Sequence, residues 1–378
     1  MDIAIRSAAL SEDRQVTPSM VEVCAHRGGV EVLDQLADAW RGLCAEAADD
    51  QPFYRPEFIR AHIRAKFPGA RVVVITASEK GCLLLLLPLV EELGTFSKIP
   101  VRKLRAPVDC NCGRFDAVRR SGPDGNAAVL ATWRYLREMG EWDLLQFRYS
   151  QVGSTVSQLA RAAHSEGLPT IQVPNRPNPY VPVPPSPELL ERLPRSSRLR
   201  TKLRQIRRNM AEQGSLKFYR VNTADPDALH RLFALEASGW KGRGRSAVNC
   251  HAPVRQFFNE LAESAARFGY LCLYMLEFEG ELIAAHYSLN YRDRCYSPIV
   301  AYNEKFRQLA PGHLIVSEIL RDCASRGITG YDITGEDQEW KMKWTEQALA
   351  VNHHFVFKGP IGRFAYSVGR RLGSPRVV

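Results

Sequence analysis

The feature that most constrains the fold is a set of three strand-like segments in close succession. Tyr270–Phe278, Leu282–Tyr291 and Cys295–Tyr302 are rich in aliphatic and aromatic residues. Glu279-Gly280-Glu281, between the first two segments, is typical of a tight turn. Apolar runs joined by short turns predict an antiparallel meander.

The segments on either side of the meander predict further helices and strands. Proline near a helix start and glycine after its end mark a helix from Pro311 to the residue before Gly327. The other predicted elements are the strand Leu216–Val221, the helices Asp225–Ser238 and Pro253–Phe268, and the strands Tyr331–Thr334 and Ala348–Lys358. This order predicts a mixed α/β (α+β) fold.

The N-terminal half repeats this order weakly. Its predicted elements are the helix Arg55–Lys66, the strands Arg71–Ala77 and Cys82–Glu91, a helix between Gly122 and Gly140, and the strand Trp142–Phe147. Seven prolines between Pro174 and Pro187 favour extended chain, as a linker or a crossover between the copies. We predict a tandem duplication, residues 1–180 and 181–378, built on two mixed, mostly antiparallel sheets flanked by helices.

Length and composition are those of a globular protein with two domains. The chain has 378 residues, of which 45% are hydrophobic and 24% are charged. Its formal net charge of +10 favours anionic partners. Nucleic acid, an acidic membrane surface and a phosphate-bearing cofactor all meet that condition, and charge alone does not choose among them.

The sequence predicts neither export nor a metal site. The first twenty residues carry five charged side chains, which leaves no apolar secretory core. The longest apolar run, Cys82–Val90, is far too short to span a bilayer. Nine scattered cysteines indicate a reducing compartment, and the spacing of Cys110 and Cys112 is poor for zinc. We expect a cytoplasmic protein, at most peripheral at the inner membrane.

Residues 195–208 predict a basic amphipathic helix. Seven of these fourteen residues are Lys or Arg, and no acidic residue lies between Glu191 and Glu212. Leu199 and Leu203 recur at helical spacing on the apolar side. Two interpretations explain this pattern equally well. The basic side is either a solvated charged face or a docking site for an anionic substrate, tRNA or a lipid headgroup.

The start of the helix at Pro311 is a candidate phosphate site. Backbone N–H groups at a helix start bind phosphate, helped by the helix dipole. The residues that could contact a phosphate-bearing cofactor there are Arg307, Gln308, Ala310, Gly312 and His313. An ordinary proline-glycine helix start has the same pattern, so the position after the meander is what favours a site.

Glu236, near the end of a predicted helix, and Trp240 and Lys241, in the glycine-rich loop that follows it, are candidate substrate-binding residues. The indole could stack on a ligand and the ammonium could hold an anion or the acceptor, because exposed loop residues often carry function. A structural role for the pair is equally compatible with the sequence.

Asp332 lies in the predicted strand Tyr331–Thr334, and Glu336 and Lys341 follow that strand. A carboxylate placed there could act as a general base, although a solvated acidic loop would read the same way. Two lone residues in the meander are further candidates: His286 for substrate binding and Tyr302 as an acid. Residues of these types within strands are more often ordinary core groups.

Several stretches together resemble the GNAT-superfamily acyltransferases of the cellulose-biosynthesis (CelD/BcsL-like) group. The stretches are Phe53-Tyr54-Arg55-Pro56-Glu57-Phe58, Leu87-Pro88-Leu89, Arg114-Phe115-Asp116, Gly239-Trp240-Lys241-Gly242, Ala301-Tyr302-Asn303-Glu304, Pro311-Gly312 and Asp332-Ile333-Thr334-Gly335-Glu336 with Lys341. The group is similar in architecture to the FemABX peptidyltransferases, which also pair two GNAT-like halves but use aminoacyl-tRNA.

The resemblance implies acyl transfer from acyl-coenzyme A, without a metal, to an amine or hydroxyl on a small molecule or glycan. Glu336, or Asp332 through water, would deprotonate the acceptor, and a backbone N–H of the central strand would polarise the carbonyl. Tyr302 would protonate the thiolate, and Lys241 and Lys341 would position the acceptor or the donor's phosphates. The degenerate N-terminal half would shape the acceptor groove. Alternatives are an aminoacyl-tRNA-dependent transferase and a non-catalytic binding protein.

Overall fold

The structure is a computed structural model that describes residues 21–372, with the backbone alone at Ala211 and Gln213. The first twenty residues, on which the prediction of no export signal depends, lie outside the described residues. Within the described range, no helix is both long and apolar enough to span a membrane.

The N-terminal half, up to residue 182, contains seven strands and four α-helices. In chain order they are β1 Glu22–Gly28, α1 Glu31–Ala45, α2 Pro56–Lys66, β2 Arg71–Glu79, β3 Cys82–Phe96, β4 Ile99–Arg105, β5 Val118–Arg119, α3 Pro123–Glu138, β6 Leu144–Gln151, α4 Thr155–Ser165 and β7 Thr170–Pro182.

The C-terminal half contains six strands and eight helices, three of them a single turn. They are α5 Pro187–Leu190, α6 Ser197–Gln213, β8 Leu216–Val221, α7 Pro226–Ser238, α8 Trp240–Arg243, α9 Ala252–Arg267, β9 Leu271–Phe278, β10 Glu281–Tyr291, β11 Arg294–Tyr302, α10 Pro311–Ser325, β12 Gly330–Asp332, α11 Glu339–Met342, β13 Ala348–Phe357 and α12 Gly359–Arg371.

The thirteen strands of the described chain form one mixed sheet, in the order β1-β2-β3-β4-β6-β13-β7-β12-β11-β10-β9-β8, with β5 on β3. Read inward from either edge, four antiparallel strands lead to a parallel pair, β4 with β6 or β11 with β12. A helix, α3 or α10, precedes the second strand of each parallel pair. The predicted fold class and duplication are confirmed, but the two predicted sheets are continuous.

The centre of the sheet is made by an exchange of strands between the halves. The proline-rich segment predicted as a linker or crossover is strand β7, which pairs with β13 and, at Tyr180–Pro182, with β12. Because β12 covers only the end of β7, the remaining edge of β7 tolerates prolines, which donate no ladder hydrogen bond. The predicted boundary at residue 180 falls inside β7, and a division into two units there stays a proposal.

Helices cover both faces of the sheet, and the strands alternate accordingly. Leu273 and Met275 of β9 pack in the core that includes α7 and α9, whereas Tyr274 and Leu276 face α6 and α10. The predicted basic helix is α6, and its N-terminus is capped by Ser196, whose hydroxyl accepts from the Leu199 amide. The sheet thereby fixes α6 and α10 side by side next to β11.

Candidate active site

A cavity of about 650 Å³ opens where β11 and β12 part. β12 pairs with β11 only opposite Arg294–Tyr296, and β11 continues to Tyr302 without it. The cavity is lined by β11, α8, the start of α10 and the segment that follows β12. Every lining residue lies between Glu236 and Lys343, so the N-terminal half, which we expected to shape the acceptor groove, contributes none of the residues that line the described cavity.

Ten of the thirteen predicted site residues line the cavity. They are Glu236, Trp240, Lys241, His286, Tyr302, Arg307, Ala310, Gly312, His313 and Lys341. The other three, Asp332, Glu336 and Gln308, are not among the lining residues.

The two predicted carboxylate bases point elsewhere. Asp332 is 1% exposed, and its Oδ2 lies 2.6 Å from Nη2 of the fully buried Arg114. The Glu336 side chain is 52% exposed and pairs with Arg176 at 3.1 Å. An ion pair holds each carboxylate away from the cavity, so the geometry does not favour either residue as the base.

Lys241 is held at the cavity wall by a buried carboxylate. Its Nζ lies 2.7 Å from Oε1 of Glu236, whose Oε2 accepts from the Val248 amide at 2.9 Å. The predicted glycine-rich loop is the short helix α8, packed against the end of α7. A Cβ at Gly242 would lie 1.8 Å from the Ala237 carbonyl oxygen, so only glycine allows α8 to bring Lys241 to this place.

Lys341 is a buried cation at the other side of the cavity. It is 6% exposed, and its Nζ donates to the Thr334 carbonyl oxygen at 2.5 Å. Burial, opposed by Asp332 and assisted by Lys241, lowers the pKa of Lys341 to about 8. A fraction of this lysine is therefore neutral near pH 7, which is what a group that accepts a proton requires.

The start of α10 offers fewer backbone donors than the sequence predicts. Pro311 has no N–H, and the His313 and Leu314 amides both donate to the Ala310 carbonyl. Gly312 therefore retains the accessible amide of this turn. Arg307 and Lys343 add side-chain cations to the same wall, so an anion here would be held mainly by side chains.

Two histidines line the cavity as neutral rings. Burial lowers the pKa of His286 to about 3, and its Nδ1 lies 2.9 Å from the Tyr331 hydroxyl. Burial, with Lys343 and Lys202 nearby, lowers the pKa of His313 to about 4. The Trp344 indole donates to His313 Nδ1 at 3.1 Å, so the proton of the neutral ring is on Nε2, which can donate.

Sequence reasoning missed the residues that support these groups. Ser297, Thr334, Lys343 and Trp340 line the cavity, and Arg114 lies behind it. The alternation of Lys341 and Lys343 was an available signal for the second lysine. Arg114 belongs to one of the stretches that carry the family resemblance, but the sequence assigned it no role, because its partner Asp332 is 218 residues away.

One group of described residues has ligand atoms close enough to hold a metal. Atoms of His62, Asp109 and Cys112, in the N-terminal half, lie within 4.8 Å of one another. Lys66 Nζ already lies 3.2 Å from Asp109 Oδ2, so a cation neutralises this carboxylate without a metal.

Comparison with known proteins supports the GNAT character of the C-terminal half. Residues 197–342 match the family model described as an acetyltransferase (GNAT) domain. That segment includes all the residues of the cavity except Lys343. No curated protein matches the sequence significantly.

The fold of the whole described chain is similar to solved structures of very different sequence. The structure of FemX aligns at TM-score 0.58 and 11% identity, over 87% of this chain and 98% of that one. The C-terminal domain of a lysylphosphatidylglycerol synthetase from Agrobacterium fabrum, described as putative, aligns at 0.52 and 11%, over 92% and 99%. A conserved protein of Bacteroides thetaiotaomicron aligns at 0.50 and 12%, over 85% and 97%. Such low identities show the fold alone.

Proposed function

We propose that the chain transfers an acyl group from acyl-coenzyme A to an amine or hydroxyl acceptor in the cavity beside β11. The carrying observation is that one cavity joins the start of α10, the free edge of β11 and two lysines, Lys241 and Lys341. The match of residues 197–342 to an acetyltransferase domain supports the same reaction class. The resemblance to the CelD/BcsL-like group and the identity of the acceptor, a small molecule or a glycan, remain predictions.

The edge of β11 supplies the polarising group in this proposal. The Val300 carbonyl accepts from Lys241 Nζ at 3.4 Å, so it faces the cavity. Within a strand the N–H and C=O of one residue point to the same side. The Val300 N–H is thus the candidate donor to the thioester oxygen, whose negative charge grows as the acceptor attacks.

Lys341 replaces the carboxylates as the proposed proton acceptor. The acceptor's nitrogen or oxygen attacks the thioester carbon and its proton passes to neutral Lys341 Nζ. The C–S bond then breaks, and the thiolate takes a proton from Tyr302, whose ring lies against Gly312 at the start of α10. Lys341 then returns its proton to Tyr302 by way of solvent, which restores both groups, so the net result is one proton moved from acceptor to thiol without a hydride or redox step.

Ligand-dependent thermal unfolding tests the donor. Coenzyme A, acetyl-coenzyme A and a long-chain acyl-coenzyme A would each be added to the full chain. A ligand at about 100 times its Kd should add about 2.7 kcal/mol to the free energy of unfolding. Absence of a shift with all three would overturn coenzyme A as the donor carrier.

The pH dependence tests Lys341. Thiol release from acetyl-coenzyme A, with a panel of amines, should rise with pH through an apparent pKa near 8, because the neutral lysine is the active form. Lys341→Gln should abolish that step and slow release about 100-fold. A variant that keeps the same pH profile would remove Lys341 from the mechanism.

One observation favours a second function, transfer from aminoacyl-tRNA. On α6, Arg198, Lys202, Arg204 and Arg208 are exposed, and none has an ion pair within the described chain. Lys202 is also close enough to His313 to affect its pKa, so this basic face borders the cavity. The start of α10 offers only one accessible amide for a phosphate, whereas α6 offers several exposed cations. This arrangement suits a polyanion such as tRNA, bound mainly by side chains.

The salt dependence of tRNA binding distinguishes this second function. Bulk tRNA should bind with an affinity that falls steeply with salt, and Arg204→Gln with Arg208→Gln should reduce that slope. Binding of neither tRNA nor any acyl-coenzyme A would favour a non-catalytic binding protein.

A further inference from the structure

A buried ion pair connects the N-terminal half to the turn beneath the cavity. Arg114 and Asp332 come from opposite halves, and both side chains are almost completely buried. Arg114 Nε donates to Gln51 Oε1 at 2.9 Å, and its Nη1 donates to Asn178 Oδ1 at 3.3 Å. The guanidinium is therefore held on two sides by the N-terminal half and on the third by Asp332.

Asp332 passes this constraint on to the turn that follows β12. Its Oδ1 accepts from the Thr334 amide at 2.9 Å. Thr334 has φ +46°, a left-handed conformation that costs a β-branched residue free energy and persists only where its surroundings impose it. Asn178 Nδ2 holds the next carbonyl, that of Gly335, at 2.7 Å.

The strained turn at Thr334 contacts Lys341, the buried lysine of the cavity. The Thr334 carbonyl is the acceptor for Lys341 Nζ, and Thr334 Oγ1 donates to the Ser297 carbonyl on β11. We infer that Arg114 is a positioning residue for the active site: through Asp332 and Thr334 it holds Lys341 in place from the opposite half. The inference takes the importance of Lys341 from the proposed function, but its chain of contacts does not depend on the substrate.

The charges around Lys341 predict the sign of the effect. Asp332, Glu336 and Asp337 raise the lysine's pKa, whereas Lys241 and burial lower it. Arg114 pairs with Asp332, which has the largest effect among these acids. The guanidinium offsets the attraction between Asp332 and Lys341, so its removal, with Asp332 still ionised, raises the pKa of Lys341.

Competitive amine labelling measures this pKa without any substrate. Full-length protein would be labelled with acetic anhydride across a pH series, and the Lys341 peptide quantified by mass spectrometry. Arg114→Met should slow labelling of Lys341 at pH 7 by roughly tenfold, the equivalent of one pKa unit. Arg114→Lys, which keeps the cation, should restore most of the rate. Amide exchange of Thr334 and Gly335 should accelerate in Arg114→Met.

Arg292→Met is the matched control, since Arg292 Nε pairs with Asp50 across the same two halves at 2.7 Å but does not contact the turn. If Arg114→Met does not fold, the double variant Arg114→Met with Asp332→Leu replaces it, and the 334–335 exchange remains the readout. Unchanged labelling and exchange in a folded Arg114 variant, or equal changes in Arg292→Met, would overturn the inference. Failure of coenzyme A to bind would count against the proposed function alone.

Discussion

In each half, two parallel strands pair over three residues and then separate, which leaves a gap between them. The two halves use this gap in opposite ways. In the C-terminal half the gap after the β11–β12 pairing is open and becomes the cavity. In the N-terminal half the chain after β4 folds back into the equivalent place, where the Phe115 amide donates to the Tyr149 carbonyl. Val108, Cys112 and Phe115 of that loop are completely buried.

The difference shows how a duplicated fold divides its tasks. The connection from β4 to α3 is long enough to fill the gap with its own side chains, whereas the connection from β11 to α10 is a single 3-10 helix, Glu304–Leu309. The filling loop also carries Arg114 into the other half. On our proposal, the open gap of the C-terminal half thus binds the substrates, and the filled gap of the N-terminal half supports that site.

The largest effect is expected from removing the ion pair between Arg114 and Asp332, which connects the two gaps. Arg114→Met leaves Asp332 buried without its partner and should lower the free energy of unfolding by about 3–5 kcal/mol in urea denaturation. Arg114→Met with Asp332→Leu should recover more than half of that loss, because an apolar pair needs no compensating charge. Equal losses for the single and double variants would contradict a role for the pairing itself.

The next effect tests whether the filled gap is a hidden binding site. Phe115→Ala should cost about 3 kcal/mol of stability, the low end of the range for a buried phenylalanine, since the loop can close in. Coenzyme A should still bind with a stoichiometry of one in calorimetry. A second binding event would mean that the filling loop alone prevents the N-terminal half from binding coenzyme A.

Much of the fold could be predicted because its signals are local. The meander, α7, α9 and α10 each have a periodic apolar pattern with a proline, glycine or aspartate at the boundary, and the structure confirms them. The exchange of β7 and β13 could not be predicted, because a proline-rich extended segment has the same sequence pattern in a linker and in an edge-like strand.

The site was predictable in part for the same reason. Lys241, Arg307 and Lys341 line the cavity because the order of elements places their segments there. Asp332 and Glu336 were assigned by proximity in sequence, whereas side-chain direction depends on Arg114 and Arg176, which come from distant segments. Long-range ion pairs leave no periodic trace in a sequence.

A smaller effect concerns the anion wall of the open gap. Arg307→Ala should weaken coenzyme A binding about tenfold, or about 1.4 kcal/mol, because side chains replace the missing backbone donors. Arg321→Ala, on the far part of α10, serves as the control in the same calorimetric titration and should change affinity by less than about twofold. Equal weakening by both would indicate a general charge effect.

The smallest effect is expected at the residue that the sequence favoured most as a base. Glu336→Gln should change stability by less than about 0.5 kcal/mol and thiol release by less than about threefold, because the carboxylate is exposed and pairs with Arg176. A large loss of turnover without unfolding would return Glu336 to the mechanism and show that the 335–338 segment moves toward the cavity.

The exchanged centre of the sheet has a consequence for how the chain can be divided. A cut in the connection between β7 and α6 would leave the first fragment without β13 and the second without the strand beside β12. Each fragment would expose a long unpaired edge and should aggregate when produced alone. Produced together, the fragments should find each other through β7 and β13, so this enzyme-like scaffold is suited to conditional reassembly, with the cavity rebuilt only when both pieces meet.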